Sequence, residues 1–233
     1  MVYGRLFRLS DPAGIVKSFM ISPSDIFVAI PSRGQVLNDV ANATIKMCHA
    51  YGLPLPEFAT GHLTATDGRN KIRKTFLASG CEILLMIDYD VIPVSGVIEI
   101  ATRGLDICAV PVMLMAAQAN IPFWNVYRED KGGDGWWPID NIFAQSSIVE
   151  CDAVGFGVVA IHRRVVEALP PFWLDVDAWG IANRSEDLPY CREARRRGFR
   201  VWADFGARAD HITAVNLRDL QERNSAAFER LIS

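Results

Sequence analysis

Several things are scarce in this sequence, and each scarcity excludes a class of protein. Its five cysteines (Cys48, Cys81, Cys108, Cys151 and Cys191) are odd in number, widely spaced and without a CxxC pair. That pattern suggests neither a disulfide framework nor a zinc knuckle, and it suits a reducing, cytoplasmic setting. Apolar runs such as Ile83-Leu-Leu-Met-Ile87 are far too short for a membrane span, and the N-terminus lacks the apolar core of a signal peptide. Neither sign of charge dominates: a formal net charge of -3 leaves no basic footprint for duplex nucleic acid, although Arg195, Arg196 and Arg197 could still meet phosphates. Internal repeats and low-complexity stretches are missing too.

What is present describes a folded α/β protein. Half of the 233 residues are hydrophobic and 22% are charged, and this length buries a sizeable core without disulfides. Ile26-Phe-Val-Ala-Ile30 is a compact apolar run stopped by Pro31-Ser-Arg-Gly34, which predicts a buried strand and a loop. Val36, Val40, Ala43 and Met47 recur at helical spacing over 36–50. A strand near 57–64 is followed by a helical face through Ile72 and Phe76 that Gly80 can close. Ile83–Ile87 is apolar on both faces, as a central strand covered by helices must be, and it runs into Asp88-Tyr-Asp90. A helix near 94–103 and a strand at Ile107–Val112 complete a third strand and helix repeat, so a mostly parallel sheet flanked by helices is expected.

Beyond that point the pattern loosens. Residues 115–148 lose periodicity and collect Gly132, Gly133, Gly135, Trp136, Trp137 and Pro138, which predicts an irregular loop over a site. Strand character returns over 148–161, with helices expected at 163–169 and from Ser185 to Arg197, a strand at Phe199–Phe205 and an amphipathic helix at 217–232. One domain with two halves is expected, about 26–112 and about 113–212.

Asp88 and Asp90, two apart at a strand end, leave the same face while Tyr89 points the other way, so the pair can share one cation. In an open α/β sheet ligands bind beyond the carboxyl ends of the strands, where a divalent metal commonly carries a diphosphate. His211, just beyond the last strand, could complete a mixed oxygen and nitrogen shell. Ser185-Glu-Asp187 opens a helix, with Ser185 as the expected N-cap and two acids complementing the helix dipole. Alternatively, Asp187 or Glu186 faces the cleft as a general base. The rings of Trp136, Trp137, Trp173 and Trp179 could offer flat faces to a sugar, or serve core packing.

The ordered set Val28-Ala-Ile-Pro-Ser-Arg33, Gly68-Arg-Asn70, Leu85-Met-Ile-Asp-Tyr-Asp90, Val154-Gly-Phe-Gly157, Ser185-Glu-Asp187 and His211 resembles GT-A glycosyltransferases related to family two. The resemblance rests on order and spacing and covers most of residues 26–212. It implies a transferase that moves a sugar from a nucleotide diphosphate donor, a UDP-sugar being favoured, with Mn2+ or Mg2+ and with inversion at the sugar. Carried over, donor contacts fall on Pro31, Ser32, Arg33, Arg69, Asn70 and Tyr89, metal and diphosphate on Asp88 and Asp90 with His211, and catalysis on Asp187 with Glu186 beside it. Gly155, Trp136, Trp137 and Trp179 fall on the acceptor side, for a glycan, small molecule, protein or modified nucleobase. One departure is Ala59-Thr-Gly-His-Leu-Thr64, where many members carry an acidic Asp-Gly-Ser loop beside the base, and this leaves the donor's base open.

Two rivals stand beside this reading. Gly155-Phe-Gly-Val-Val-Ala160 fits the GxGxxA of an NAD-dependent oxidoreductase, with Asp175 about twenty residues on. A non-catalytic carbohydrate-binding module would also expose tryptophans and bind a metal, but would need neither the Arg-Asn segment nor the Glu-Asp helix start.

Overall fold

The computed structural model describes residues 21–32, 34–61, 64–115, 122–130, 136–138, 148–176 and 182–212. After a single 3-10 turn at Pro23–Asp25, strand β1 (Ile26–Pro31) leads to helix α1 (Asn38–Ala50), which buries Val40, Thr44 and Cys48 at four-residue spacing. Strand β2 (Glu57–Ala59) is shorter than expected, because Thr64 is already the N-cap of helix α2 (Ala65–Ser79) and accepts from the Asp67 amide. Gly80, in the left-handed region at φ 77°, closes α2 as predicted. Strand β3 (Ile83–Ile87) is buried at every residue.

The helix expected at 94–103 is divided: strand β4 (Val91–Ser95) comes first, and helix α3 (Val97–Thr102) begins only after Gly96, at φ 70°. Strand β5 (Ile107–Ala109) follows. Strand β6 (Met113–Met115) comes next, and the stretch expected to be irregular, 115–148, carries short strands in its described parts, namely β7 (Pro122–Trp124), β8 (Val126–Glu129) and β9 (Trp136–Pro138). Strands of three or four residues are too short to show a period in sequence. The strand region at 148–161 is three strands, β10 (Ile148–Cys151), β11 (Ala153–Val154) and β12 (Val158–His162), broken at Asp152 and at Gly155–Gly157. Helix α4 (Arg163–Ala168), the paired strands β13 (Asp175–Val176) and β14 (Ala182–Arg184), helix α5 (Asp187–Arg196), and strands β15 (Val201–Asp204) and β16 (Arg208–His211) complete the described chain. The helix expected at 217–232 lies outside the described residues, as do Arg33 and Trp179.

The central sheet has seven strands in the order β10-β15-β5-β12-β3-β1-β2. β1 is parallel to both β2 and β3, and β15 to β5, whereas β12 is antiparallel to β3 and β5 and β10 is antiparallel to β15. Hence β1, β2, β3, β5 and β15 share one direction. Leu84 and Met86 of β3 enter one apolar layer with Ile72 and Phe76 of α2, Val165 of α4 and Tyr190 of α5. Ile83, Leu85 and Ile87 enter the opposite layer with Val40 of α1 and Ile100 of α3. The period-two alternation of a strand, covered on both faces, is what makes β3 a continuous apolar run.

This topology removes the oxidoreductase rival, because a dinucleotide fingerprint must open a helix. Gly155-Phe-Gly157 instead feeds β12, a strand antiparallel to both its neighbours. Among the described residues no helix is long and apolar enough to cross a membrane.

Candidate active site

The carboxyl end of β3 gathers residues from distant elements. Asp88 follows the strand directly, and its backbone amide donates to the Gly157 carbonyl at 2.8 Å. Its Oδ1 accepts from Arg69 Nη2 at 2.7 Å, and Arg69 Nη1 donates to Glu186 Oε1. Arg69 lies on the inward face of α2 with Thr66, Gly68, Ile72 and Phe76, so a helix that otherwise buries small and apolar groups places one guanidinium under the strand end. A buried cation is tolerable only when paired, and the planar fork of arginine suits a position between two carboxylates. The Phe156 ring lies 5.7 Å from the guanidinium carbon.

Burial pushes the Asp88 carboxyl up from 3.8 to about 6, against the pull of Arg69, and the charges of Asp90 and Asp187 add to the rise. Burial is the main cause of the rise; by count, Asp88, Asp90, Glu186 and Asp187 stand here with the single Arg69, so acids are in excess.

Asp187 is the first residue of α5, where its Oδ1 accepts from the Leu188 amide at 2.8 Å and its Oδ2 from the Phe156 amide at 3.4 Å. The expected N-cap, Ser185, does not cap: that position belongs to Glu186, which makes no side-chain cap and is already in right-handed helical conformation. The Glu186 carboxylate is committed to Arg69 instead, and Ser185 Oγ only approaches its Oε2 at 3.4 Å.

A second, two-stranded sheet explains how His211 reaches the site. β16 pairs antiparallel with β4, setting His211 opposite Val91, and the Ile212 amide donates to the Asp90 carbonyl at 2.8 Å. His211 Nε2 then lies 3.6 Å from Asp90 Oδ2. Among the described residues no group of three or more His, Cys, Asp or Glu side chains is disposed to hold a metal ion. Of the three expected ligands, Asp90 and His211 stand together while Asp88 is paired with Arg69. This set suits a magnesium- or manganese-type ion, which takes one or two protein groups and completes its shell with water and phosphate oxygens. The surplus negative charge around Asp88 fits a cation as well.

The remaining expected residues divide. Pro31 ends β1, and Ser32 is buried: its amide donates to the Ala59 carbonyl at 3.0 Å, its Oγ donates to the Gln35 carbonyl at 2.8 Å, and Oγ accepts from the Gly34 amide. Tyr89 packs against the apolar layer of α1 and α3. Asn70 is turned to the backbone of Phe172, donating to its carbonyl at 2.9 Å and accepting from its amide at 2.8 Å. Gly155 is required by a close approach, since a Cβ there would meet Asn125 Nδ2 at 2.5 Å. Trp136 packs on the core with the Arg192 guanidinium 4.9 Å from its ring. Trp137 lies on β9, with its side chain outside the described residues.

Phe156 and Gly157 are the positions beside this cluster that sequence reasoning does not single out. One tripeptide joins both acid groups, as Gly157 receives the Asp88 amide and Phe156 donates to Asp187. Two glycines around an aromatic residue inside a strand region were the available signal of a close backbone approach.

No protein-family model matches the chain, and no curated protein does. Among solved structures, A197 from STIV superposes with a TM-score of 0.55 at 20% identity, over 81% of this chain and 86% of that one. GalNAc-T7, crystallised with UDP, GalNAc and Mn2+, gives 0.59 at 9% identity, over 85% of this chain but only 45% of its own. At such identities the likeness is one of fold, and the fold is GT-A-like, that of glycosyltransferases.

Proposed function

We propose that the chain is a glycosyltransferase that moves a sugar from a nucleoside diphosphate donor to an acceptor hydroxyl, with Mn2+ or Mg2+ and with inversion. The observation that carries this reading is the pairing of buried Arg69 with Asp88 and Glu186 at the carboxyl end of β3, with Asp90 and Asp187 near enough for their charges to act on Asp88. A glycosyltransferase fold with surplus negative charge at the sheet's ligand-binding edge suits a cation and the diphosphate it accompanies.

In this reading Asp90 and His211 hold the cation, with Asp88 beside them. A cation held there would offset the charge of the departing diphosphate. Asp187, held by the Phe156 amide, takes the proton of the acceptor hydroxyl as its oxygen bonds to the anomeric carbon. The bond from that carbon to the diphosphate oxygen breaks, and the nucleoside diphosphate leaves with the electron pair. Residues from about 26 to 112, with the turn at Pro31 and Ser32, form the donor half; those from 113 to 212 form the acceptor half. The UDP bound to GalNAc-T7 favours a UDP-sugar as donor.

Calorimetry with UDP and Mn2+ tests the reading. Asp90→Ala is expected to weaken metal-dependent UDP binding by at least the roughly 10- to 100-fold that supporting groups of metal sites carry. Equal affinity in variant and wild type would sink the assignment.

A further inference from the structure

Arg69 is shared between two carboxylates from distant parts of the chain, Asp88 at the end of β3 and Glu186 just ahead of α5. Arg69 and Glu186 are each 4% exposed, whereas the Asp88 side chain keeps 27% of its surface. We infer that Glu186 is a positioning residue: by holding one side of the Arg69 guanidinium it limits how far Arg69 claims Asp88, and so preserves the negative charge of the Asp88 and Asp90 pair for a divalent cation. The inference rests on the reading of Asp90 and His211, with Asp88 beside them, as the cation site.

Geometry separates Glu186 from its neighbour Asp187. A general base must reach the acceptor's proton, and Glu186 is buried with an oxygen already on a guanidinium. Its influence on the site must run through Arg69. A guanidinium left with one carboxylate tends to grip it with two parallel N–H bonds. Here that grip is split, Nη1 going to Glu186 and Nη2 to Asp88. Arg69 Nε is buried without a hydrogen-bond partner, so the cation relies on these two carboxylates. Removal of the Glu186 charge leaves Asp88 as its single anionic partner in the pair of bonds described. Arg69 then closes on Asp88, and a metal ion must compete with it.

The test is titration of the full chain with Mn2+, followed by electron paramagnetic resonance, with and without UDP. Glu186→Gln, which keeps the shape, is expected to raise the Mn2+ Kd about tenfold, the scale typical of groups that support metal ligands. The double variant Arg69→Gln with Glu186→Gln removes the competitor as well and is expected to return toward wild-type affinity. A residue that merely stabilised the fold would give no such recovery. Wild-type affinity in Glu186→Gln, or a double variant no better than the single one, would overturn the inference. Should the double variant fail to fold, Glu186→Asp takes its place. It keeps the charge and is expected to bind Mn2+ more tightly than Glu186→Gln, and equal weakening in the two would again overturn the idea. A wild-type chain that binds no Mn2+ in either condition would overturn the cation site itself, which distinguishes the two failures.

Discussion

Helix α5 serves two charged clusters of opposite balance. At its N-terminal end, Glu186 shares Arg69 with Asp88, whose carboxyl also feels the charges of Asp187 and Asp90, and His211 stands beside Asp90. Further along, Arg192 and Arg195 reach Glu129 of β8, and Arg195 also reaches Asp152, which Arg128 approaches. The second cluster has enough arginine to neutralise its acids, and it fastens α5 to the small sheet of β8, β9 and β11. The first has acids in excess. Both contain arginine–carboxylate pairs, so the pairs themselves do not mark a site; on the function proposed above, the unbalanced charge does.

The sharpest way to break this comparison is to change one acid on the unbalanced side. Asp187→Asn keeps the shape and is expected to slow sugar transfer, or donor hydrolysis with water in place of the acceptor, by roughly a hundredfold or more, because an amide cannot accept the proton. UDP binding should persist in that variant, and release of UDP measures the rate. Turnover at the wild-type level would reduce Asp187 to a helix-dipole partner worth less than about 1 kcal/mol.

On the balanced side, Glu129→Gln loses its charged contacts with Arg192 and Arg195. The partly solvated setting limits the expected cost to about 1–2 kcal/mol in a denaturant melt. Turnover per folded molecule should be unchanged, and a large loss of activity would erase the distinction between the clusters.

The smallest effect concerns acidity. Because the Asp88 carboxyl is raised from 3.8 to about 6, the folded chain binds this proton more tightly than the unfolded chain does. Its ionisation therefore opposes folding: the cost is absent below the unfolded value, grows as pH rises, and is complete above the folded value. Asp88→Asn should melt higher than wild type near pH 7, with the gap closing toward about pH 4. Thermal melts across that range check it, and a gap that widens on acidification would reverse the sign.

The sequence showed these features unevenly, for physical reasons. β3 and the acids that follow it were legible because a strand covered on both faces must be a continuous apolar run. The helix α2 was legible through Ile72, Phe76 and the closing Gly80. β4 was not, because its strand state depends on pairing with β16, far along the chain, and Pro93 sits within it. The same distance hid the meeting of Arg69 with Glu186, while His211 beside Asp90 was expected only through the resemblance. Ser185 does not cap as its residue type predicts, because a local capping preference of about 1 kcal/mol competes with the buried charge pairing of its neighbour.

The β4 and β16 ladder also orders events in time. Non-local pairings form late, since a long loop must close before their contacts can hold. During synthesis Asp88 and Asp90 emerge well before His211, and β3 can pair with β1 while β4 still waits for its partner. The histidine therefore arrives beside Asp90 only when the last described strand docks. On the reading given above, a partly made chain would hold a cation poorly, and tight metal binding would report that the body of the fold is complete.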